Sequence, residues 1–212
     1  MSNLLATDLL VSQLPIVLGG TAIGLLYGIF GVGSAFATPM LALLGVPGMA
    51  AVVGPLPALL PGSAAGAWSY SREGEVDWVV ARRALAGGLP AAVVGALAST
   101  VVGFASGLLA NGGGFLLVPL FLLLLGLDMN RASGTSLVVA SALTVPTLVV
   151  HVGLGDIDYA VAAAFALGLV PGAFLGARLA VRLPTHRLQR AFGALLVIVA
   201  VWFLARQVAP LI

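Results

Sequence analysis

Residues 24–39 read GLLYGIFGVGSAFATP, and residues 103–119 read GFASGLLANGGGFLLVP. Gly24, Gly28, Gly33 and Phe36 recur 79 positions later as Gly103, Gly107, Gly112 and Phe115, and Pro39 recurs 80 positions later as Pro119. The correspondence continues beyond the quoted text. GEVDW (74–78) returns 81 positions on as GDIDY (155–159), and Pro90 and Gly95 return as Pro171 and Gly176. A duplication of this size points to a transporter built from two homologous halves, with its binding site where they meet.

The chain around the repeat is too apolar to be water-soluble. Of its 212 residues 61% are hydrophobic and 8% charged, and the mean hydropathy is +1.18. Too little polar surface exists to cover a soluble core, so lipid must be the solvent. The apolar runs are long and do not alternate, which excludes barrel strands and leaves helices, whose backbone groups are satisfied internally. Twenty-eight glycines fit that setting, because small residues let membrane helices approach closely. The opening MSNLLATDLLVSQLP lacks a basic n-region and a cleavage pattern, so the reading includes no removable signal peptide. With no cysteine there is neither disulfide nor thiol chemistry. A net charge of +2, carried at span ends and in short loops, does not indicate a nucleic-acid partner.

Loop text at VPGM (46–49), SREGEVDW (71–78), Ser99/Thr100, LDMNR (127–131), HVGLGDID (151–158) and LPTHRLQR (183–190) divides the chain. Seven transmembrane helices are predicted, near 16–45, 50–70, 79–98, 100–126, 131–151, 159–181 and 188–208. The fold expected is an all-α integral membrane protein of two inverted three-helix repeats, 1–98 and 99–183, plus an extra C-terminal helix in 184–212. An odd number of spans per repeat forces the second copy to insert upside down. The arginines agree: with a cytoplasmic N-terminus, Arg72, Arg82, Arg83, Arg131, Arg178, Arg182, Arg187 and Arg190 fall inside and Arg206 alone outside. The C-terminus is then outside.

Spans one and four are longer than a straight crossing needs, and their centres carry GVGSA (31–35) and NGGGF (111–115), each followed by a proline. Consecutive glycines with a proline one turn later favour unwinding. Both spans are therefore predicted to be broken at mid-membrane yet to continue across, because re-entrant hairpins would split the arginines between faces. A helix that restarts inside the bilayer presents unpaired N–H groups and a positive dipole end, which suits an anion without an embedded cation. The candidate substrate-binding residues are Gly31, Gly33, Ser34, Thr38, Asn111, Gly112, Gly113, Gly114, Thr135 and Ser136.

Plainer roles stand beside these. Gly24/Gly28 and Gly103/Gly107 are small-xxx-small pairs that suit helix packing, and the central glycines could also serve packing alone. Ser136, Ser141 and Thr144 can bond back to their own helix carbonyls. Trp68, Tyr70, Trp78 and Tyr159 sit at span ends, where aromatic residues anchor at the interface. Glu73, Glu75, Asp77, Asp156 and Asp158 read as solvated loop charges or helix caps, and His151 as an interfacial histidine with a role in proton transfer as the sharper alternative.

The run GFASGLLANGGGFLLVPLFLLLLGLDMNRASGTS (103–136) resembles the sulfite exporter TauE/SafE family, with a glycine-spaced helix, a GGG tract, a proline about five residues on and a later GTS. The first repeat carries a weaker form, and the resemblance extends over about 16–205. Ala110 and Asn111 depart from the family pattern, as do Ser34 and Ala35. The resemblance implies a multi-pass protein of the bacterial inner membrane that moves sulfite, sulfonates or related small anions. The partners expected are that anion and the bilayer, with a coupling proton or cation and a second copy of the chain as further candidates. Neither cofactor nor metal is called for. An intramembrane protease would need a G-x-S-G setting, but RASG (131–134) has arginine at the first position. A passive anion channel is the remaining alternative.

Overall fold

The computed structural model describes the backbone of residues 2–102 and 117–208 and the side chains of 13–33, 35–90, 117–199 and 201. These residues form helices and connecting turns, with no strand among them. The helices are α1 (Ser2–Phe30), α2 (Ser34–Leu43), α3 (Gly48–Val53), α4 (Leu56–Arg72) and α5 (Trp78–Val102). They continue with α6 (117–124), α7 (Met129–Leu154), α8 (Tyr159–Ala180) and α9 (Thr185–Val208). Four stretches among the described residues are long and apolar enough to cross a membrane: Gln13–Phe30, Gly48–Arg72, Met129–Leu154 and Tyr159–Ala180. α5 and α9 lie over the expected third and seventh spans. Of the expected fourth span, the Asn111–Phe115 break lies outside the described residues.

Glycine sets the packing at the centre. A Cβ on Gly20 would meet the backbone of Phe165 and Leu169, one on Gly24 the backbone of Leu169 and Ala173, and one on Gly28 the backbone of Ala173 and Ala177. α8 answers in kind, Gly168 against Val17 and Thr21, Gly172 against Thr21 and Gly24, and Gly176 against Leu25 and Ile29. Each helix thus presents glycine every fourth residue, a strip with no side chain, to the other's backbone. The pairs rise together, so α1 and α8 are parallel. Gly24 and Gly28 take the packing role.

The remaining directions follow from the same kind of contact. Gly54 faces Val161 and Gly62 faces Leu169, so α4 runs with α8. Gly66 faces Leu137 and Gly134 faces Tyr70, so α7 runs against α4. Thr135 accepts a hydrogen bond from the Asp77 N–H (3.0 Å) and Gly88 faces Leu143, so α5 runs with α7. Arg72, Arg82, Arg83, Arg131, Arg178, Arg182, Arg187 and Arg190 consequently gather at one end of the bundle, where α1, α4 and α8 finish and α5, α7 and α9 start. The turn at Gly155 and the Gln13 end of α1 lie at the other.

The loops after α4 and α7 fold alike at these opposite ends. Gly74 (φ 74°) and Gly155 (φ 72°) take the left-handed conformation that glycine adopts without strain. The next N–H, of Glu75 or Asp156, donates to the carbonyl five residues back, Tyr70 or His151. Asp77 Oδ1 then accepts from the N–H groups of Val79 and Val80, and Asp158 Oδ1 from those of Ala160 and Val161. These aspartates are helix caps, as the sequence suggested. Gly45 and Gly126, 81 residues apart, form another left-handed pair.

One expectation is corrected. Helix is lost at Gly31–Gly33, as the glycines require, but the chain does not continue across. Gly33 packs on Ile23 and Tyr27, and Met40 and Leu44 pack on Gly19, so α2 returns along α1. Gly31, at φ 72°, makes the turn possible. The span expected over 16–45 is therefore a hairpin of a full crossing helix and a short returning one, and α1 begins at the end opposite the arginines. Because α1 itself crosses before the chain returns, the hairpin leaves the arginines together, contrary to the reason for which a re-entrant segment was set aside.

Two measurements test this fold. Single cysteines replacing Leu14 and Gly45 should label from one face of the membrane and one replacing Gly74 from the other; labelling of Leu14 and Gly74 from the same face contradicts the hairpin. Gly172→Ala, whose Cβ would lie 2.6 Å from the Thr21 carbonyl oxygen, should lose about 1–3 kcal/mol of stability in a detergent melt. Gly193→Ala, with open space around it, should not.

Candidate functional site

The helix reversal brings three elements to one buried point. α1 ends at Phe30, α2 starts at Ser34, and the first two turns of α7 cross behind them, where Ser133, Thr135 and Ser136 are fully buried. Ser136 Oγ donates to the Ser133 carbonyl (2.8 Å) and lies 3.5 Å from the Gly31 carbonyl. A Cβ on Gly31 would fall on Ser136 Oγ and 3.1 Å from the Ser133 carbonyl oxygen, so the turn fits against α7 only as glycine.

The carbonyls at the end of α1 have a partner from another helix. Tyr70, fully buried, reaches from the last turns of α4 so that its hydroxyl lies 3.0 Å from both the Gly28 and Ile29 carbonyl oxygens. It acts as a cap supplied by a neighbour, satisfying carbonyls that a helix end leaves free. Interfacial anchoring, expected for Tyr70, is therefore corrected, whereas Trp68, Trp78 and Tyr159 are exposed as anchors should be. Ser133 Oγ sits beside the Tyr70 hydroxyl but forms no well-made hydrogen bond.

A second polar contact lies deeper. Ser63 of α4 donates to the Leu59 carbonyl (2.7 Å), its Oγ stands 2.7 Å from Ser141 Oγ of α7, and the buried Tyr27 hydroxyl of α1 approaches it. Ser141 donates across to Ser63 with its Oγ also 2.9 Å from the Leu137 carbonyl, and Thr144 donates to the Ala140 carbonyl at 2.7 Å. These hydroxyls bond back within their own helices while Ser63, Ser141 and Tyr27 join α4, α7 and α1.

The N-terminus of α2 faces this region. Gly33 occupies the cap position without a side-chain hydrogen bond to the helix. In the first turn the Phe36 N–H donates to the Gly33 carbonyl (3.1 Å), and the helix dipole adds positive potential there. Gly33 sits against Tyr27, the residue that reaches Ser63. Among the described residues, no ionisable side chain other than the tyrosines takes part in these contacts.

The expected site residues divide accordingly. Gly31, Gly33 and Ser136 come together at the reversal, and Ser34 and Thr38 lie on the first turns of α2; the Ser34 side chain is outside the described set. Thr135 lies one residue from Ser136 but turns to the α4–α5 loop, where it accepts the Asp77 N–H. Asn111, Gly112, Gly113 and Gly114 lie outside the described residues. Tyr27, Ser63, Tyr70 and Ser133 were not among the candidates. Their signal was faint but present, since Tyr27 and Ser63 are polar residues within apolar spans.

At the arginine end, Glu75 packs its backbone on Gly134, whose Cβ would lie 2.5 Å from the Glu75 carbonyl oxygen. Burial, then the negative charge of Asp128, raise the Glu75 carboxyl pKa above its ordinary 4.5; Arg131 opposes them and Glu73 adds to them. At the opposite end His151 Nδ1 stands 3.4 Å from Asp156 Oδ2.

Comparison with known proteins gives a consistent result. A sequence profile described as "Sulfite exporter TauE/SafE" matches residues 16–102 and 97–203. Two curated proteins of Xylella fastidiosa, strains 9a5c and Temecula1 / ATCC 700964, each named "Probable membrane transporter protein", are 38% identical over 112 residues. That alignment covers 52% of this chain and 43% of each relative, so the match spans less than half of their length. No solved structure matches.

Gly31→Ala should cost about 1–3 kcal/mol, from its left-handed backbone and the clash with Ser136. Adding Ser136→Gly should recover part of that loss, a coupling that additive, independent sites would not give. For Glu75, a raised folded-state pKa means stability fully present below the unfolded value of 4.5 and lost as pH rises through the folded one. The wild type should therefore gain stability on acidification from pH 7 relative to Glu75→Gln, whose melting curve should follow pH less steeply.

Proposed function

Because the chain belongs to the sulfite exporter TauE/SafE family of membrane transporters, we propose that it is a carrier of small anions such as sulfite, organosulfonates or related organic acids. The anion binds at the α1–α2 reversal, and access alternates between the two faces. The observation that carries this reading is the start of α2 inside the bundle at the buried Gly33, two residues from Gly31, which packs on Ser133 and Ser136 of α7. An oxyanion is matched there by N–H donors and a helix dipole. Reliance on backbone donors and hydroxyls keeps the binding energy moderate, as a carrier that must release its cargo requires.

The architecture proposed with it is two inverted repeats, 1–98 and 99–183, followed by a further transmembrane helix in 184–212, within a seven-span bundle. The opposed directions of α4 and α7 and the like-folded loops at Gly74 and Gly155 support that reading. In a bacterial inner membrane the arginine end faces the cytoplasm by the positive-inside rule. The Gln13 end of α1 then faces outward, which revises the orientation expected from the sequence, and α9 carries the chain outward again. In the second repeat, Asn111 and Gly112–Gly114 supply the matching half of the site.

Reconstitution into proteoliposomes tests the proposal. Sulfite, sulfonates, sulfate and small carboxylates are offered with and without imposed proton and sodium gradients. Saturable uptake of a sulfur oxyanion or sulfonate that follows one of the gradients is expected; ohmic, unsaturated flux points to a channel, and no flux of any anion overturns the reading. Gly33→Leu should abolish uptake, and because a Cβ there also meets Ile23 and Tyr27, the loss counts for the site only where the detergent melt falls no further than that of Gly172→Ala. Asn111→Leu should weaken binding by about tenfold to a hundredfold, the loss of one hydrogen bond to a charged group.

A further inference from the structure

A cavity of about 350 Å³ opens between the ends of α4 and α8, lined by Trp68, Ser69, Arg72, Glu73, Phe174, Arg178 and Val181. It is separate from the α1–α2 reversal. Two arginines are its main charges. The Arg72 guanidinium lies over the Trp68 ring at 5.8 Å and that of Arg178 over the Phe174 ring at 4.3 Å. Stacking of this kind uses the face of the guanidinium and fixes its position, while leaving the in-plane N–H donors free. Among the described residues neither arginine forms an ion pair or donates a hydrogen bond, and Glu73, although it lines the cavity, is not within salt-bridge distance of either.

The surroundings say what such a pair would hold. On the membrane side of the arginines, Trp68 is 61% exposed and Leu175 56%, and an apolar strip continues along Pro61 and Ala64 of α4 and Leu167 and Pro171 of α8, all exposed. The boundary between arginine and strip falls at the last turn of both helices, the level of lipid phosphates. A small water-soluble anion would need the charges but not the strip. We propose that this cleft is a binding site for an anionic phospholipid of the arginine-side leaflet. Arg72 and Arg178 hold its phosphate, and an acyl chain lies along the α4–α8 strip. The proposal does not depend on which anion the protein carries.

Purified full-length protein is equilibrated with phosphatidylglycerol or phosphatidylcholine in detergent, and native mass spectrometry measures the affinity of the first bound lipid. Phosphatidylglycerol should bind more tightly than phosphatidylcholine. Arg72→Gln should weaken it by about fivefold and Arg72→Gln/Arg178→Gln by about thirtyfold, with phosphatidylcholine unchanged. Arg190→Gln, a charge at the same end but outside the cleft, is the control; an equal loss there would assign the effect to the general surface field and overturn the site. Inorganic phosphate or sulfite is then added at millimolar concentration. Persistence of the lipid adduct is expected, whereas displacement by either ion at that concentration would make the cleft a vestibule for soluble anions and overturn the lipid assignment. Quenching of Trp68 by brominated phosphatidylglycerol in vesicles, in a Trp78→Phe/Trp202→Phe background, provides a second reading. It should exceed quenching by brominated phosphatidylcholine, and an equal response to both lipids contradicts the proposal.

Discussion

Backbone-to-backbone contact between α1 and α8 is the constraint on which the rest of the bundle depends. In lipid, apolar side chains gain little by meeting one another, so close approach and dispersion must hold helices together. Gly20, Gly24 and Gly28 on one side and Gly168, Gly172 and Gly176 on the other allow that approach along most of the crossing. α4 then packs beside α8 in the same direction, and α7 runs back against α4. With the C-terminal part of α1 fixed this tightly, Gly31–Gly33 is held against the first turns of α7, and the reversal into α2 is placed by its neighbours as much as by its own glycines.

That placement accounts for the polar seam. A helix that ends within a membrane protein leaves carbonyls in need of donors, and a helix that begins there leaves N–H groups in need of acceptors. Tyr70 supplies a donor to the end of α1. The start of α2 has no side chain in the matching role at its cap position. One half of the break is closed by a side chain from a neighbouring helix, and the other half presents the positive end of α2, where the proposed anion would bind. Ser63 and Ser141 tie α4 to α7 just beyond it.

Much of this was legible from residue order. The apolar composition required helices, the GVGS tract required a loss of helix near residue 31, and the spaced glycines of α1 required a close neighbour. The two G-x-x-D loops announced their turn and their cap. The direction of the chain after the break was not legible, because glycine and proline weaken a helix without choosing where the backbone goes next. The choice is made by Met40 and Leu44 settling on Gly19, a contact no local pattern encodes. Tyr70 was misread for a similar reason: its position at a span end is the same whether the ring turns to lipid or to the core, and only the carbonyls of Gly28 and Ile29 draw it inward. Thr135 and Ser136 are adjacent in sequence, yet one serves a loop and the other the break, since successive helix positions point about 100° apart.

The twin turns at Gly74 and Gly155 separate two kinds of information. Their shapes are the same, a left-handed glycine followed by an aspartate cap, although they sit at opposite ends of the molecule. Shape therefore carries no address. The address lies in the charges nearby, Arg72, Arg82 and Arg83 around the first and none around the second. Insertion machinery that sorts by basic residues and a backbone that folds by glycine and aspartate read different letters of the same loop. Under the proposed duplication, one vocabulary stays intact while the other drifts, so that two copies of a single segment face opposite ways.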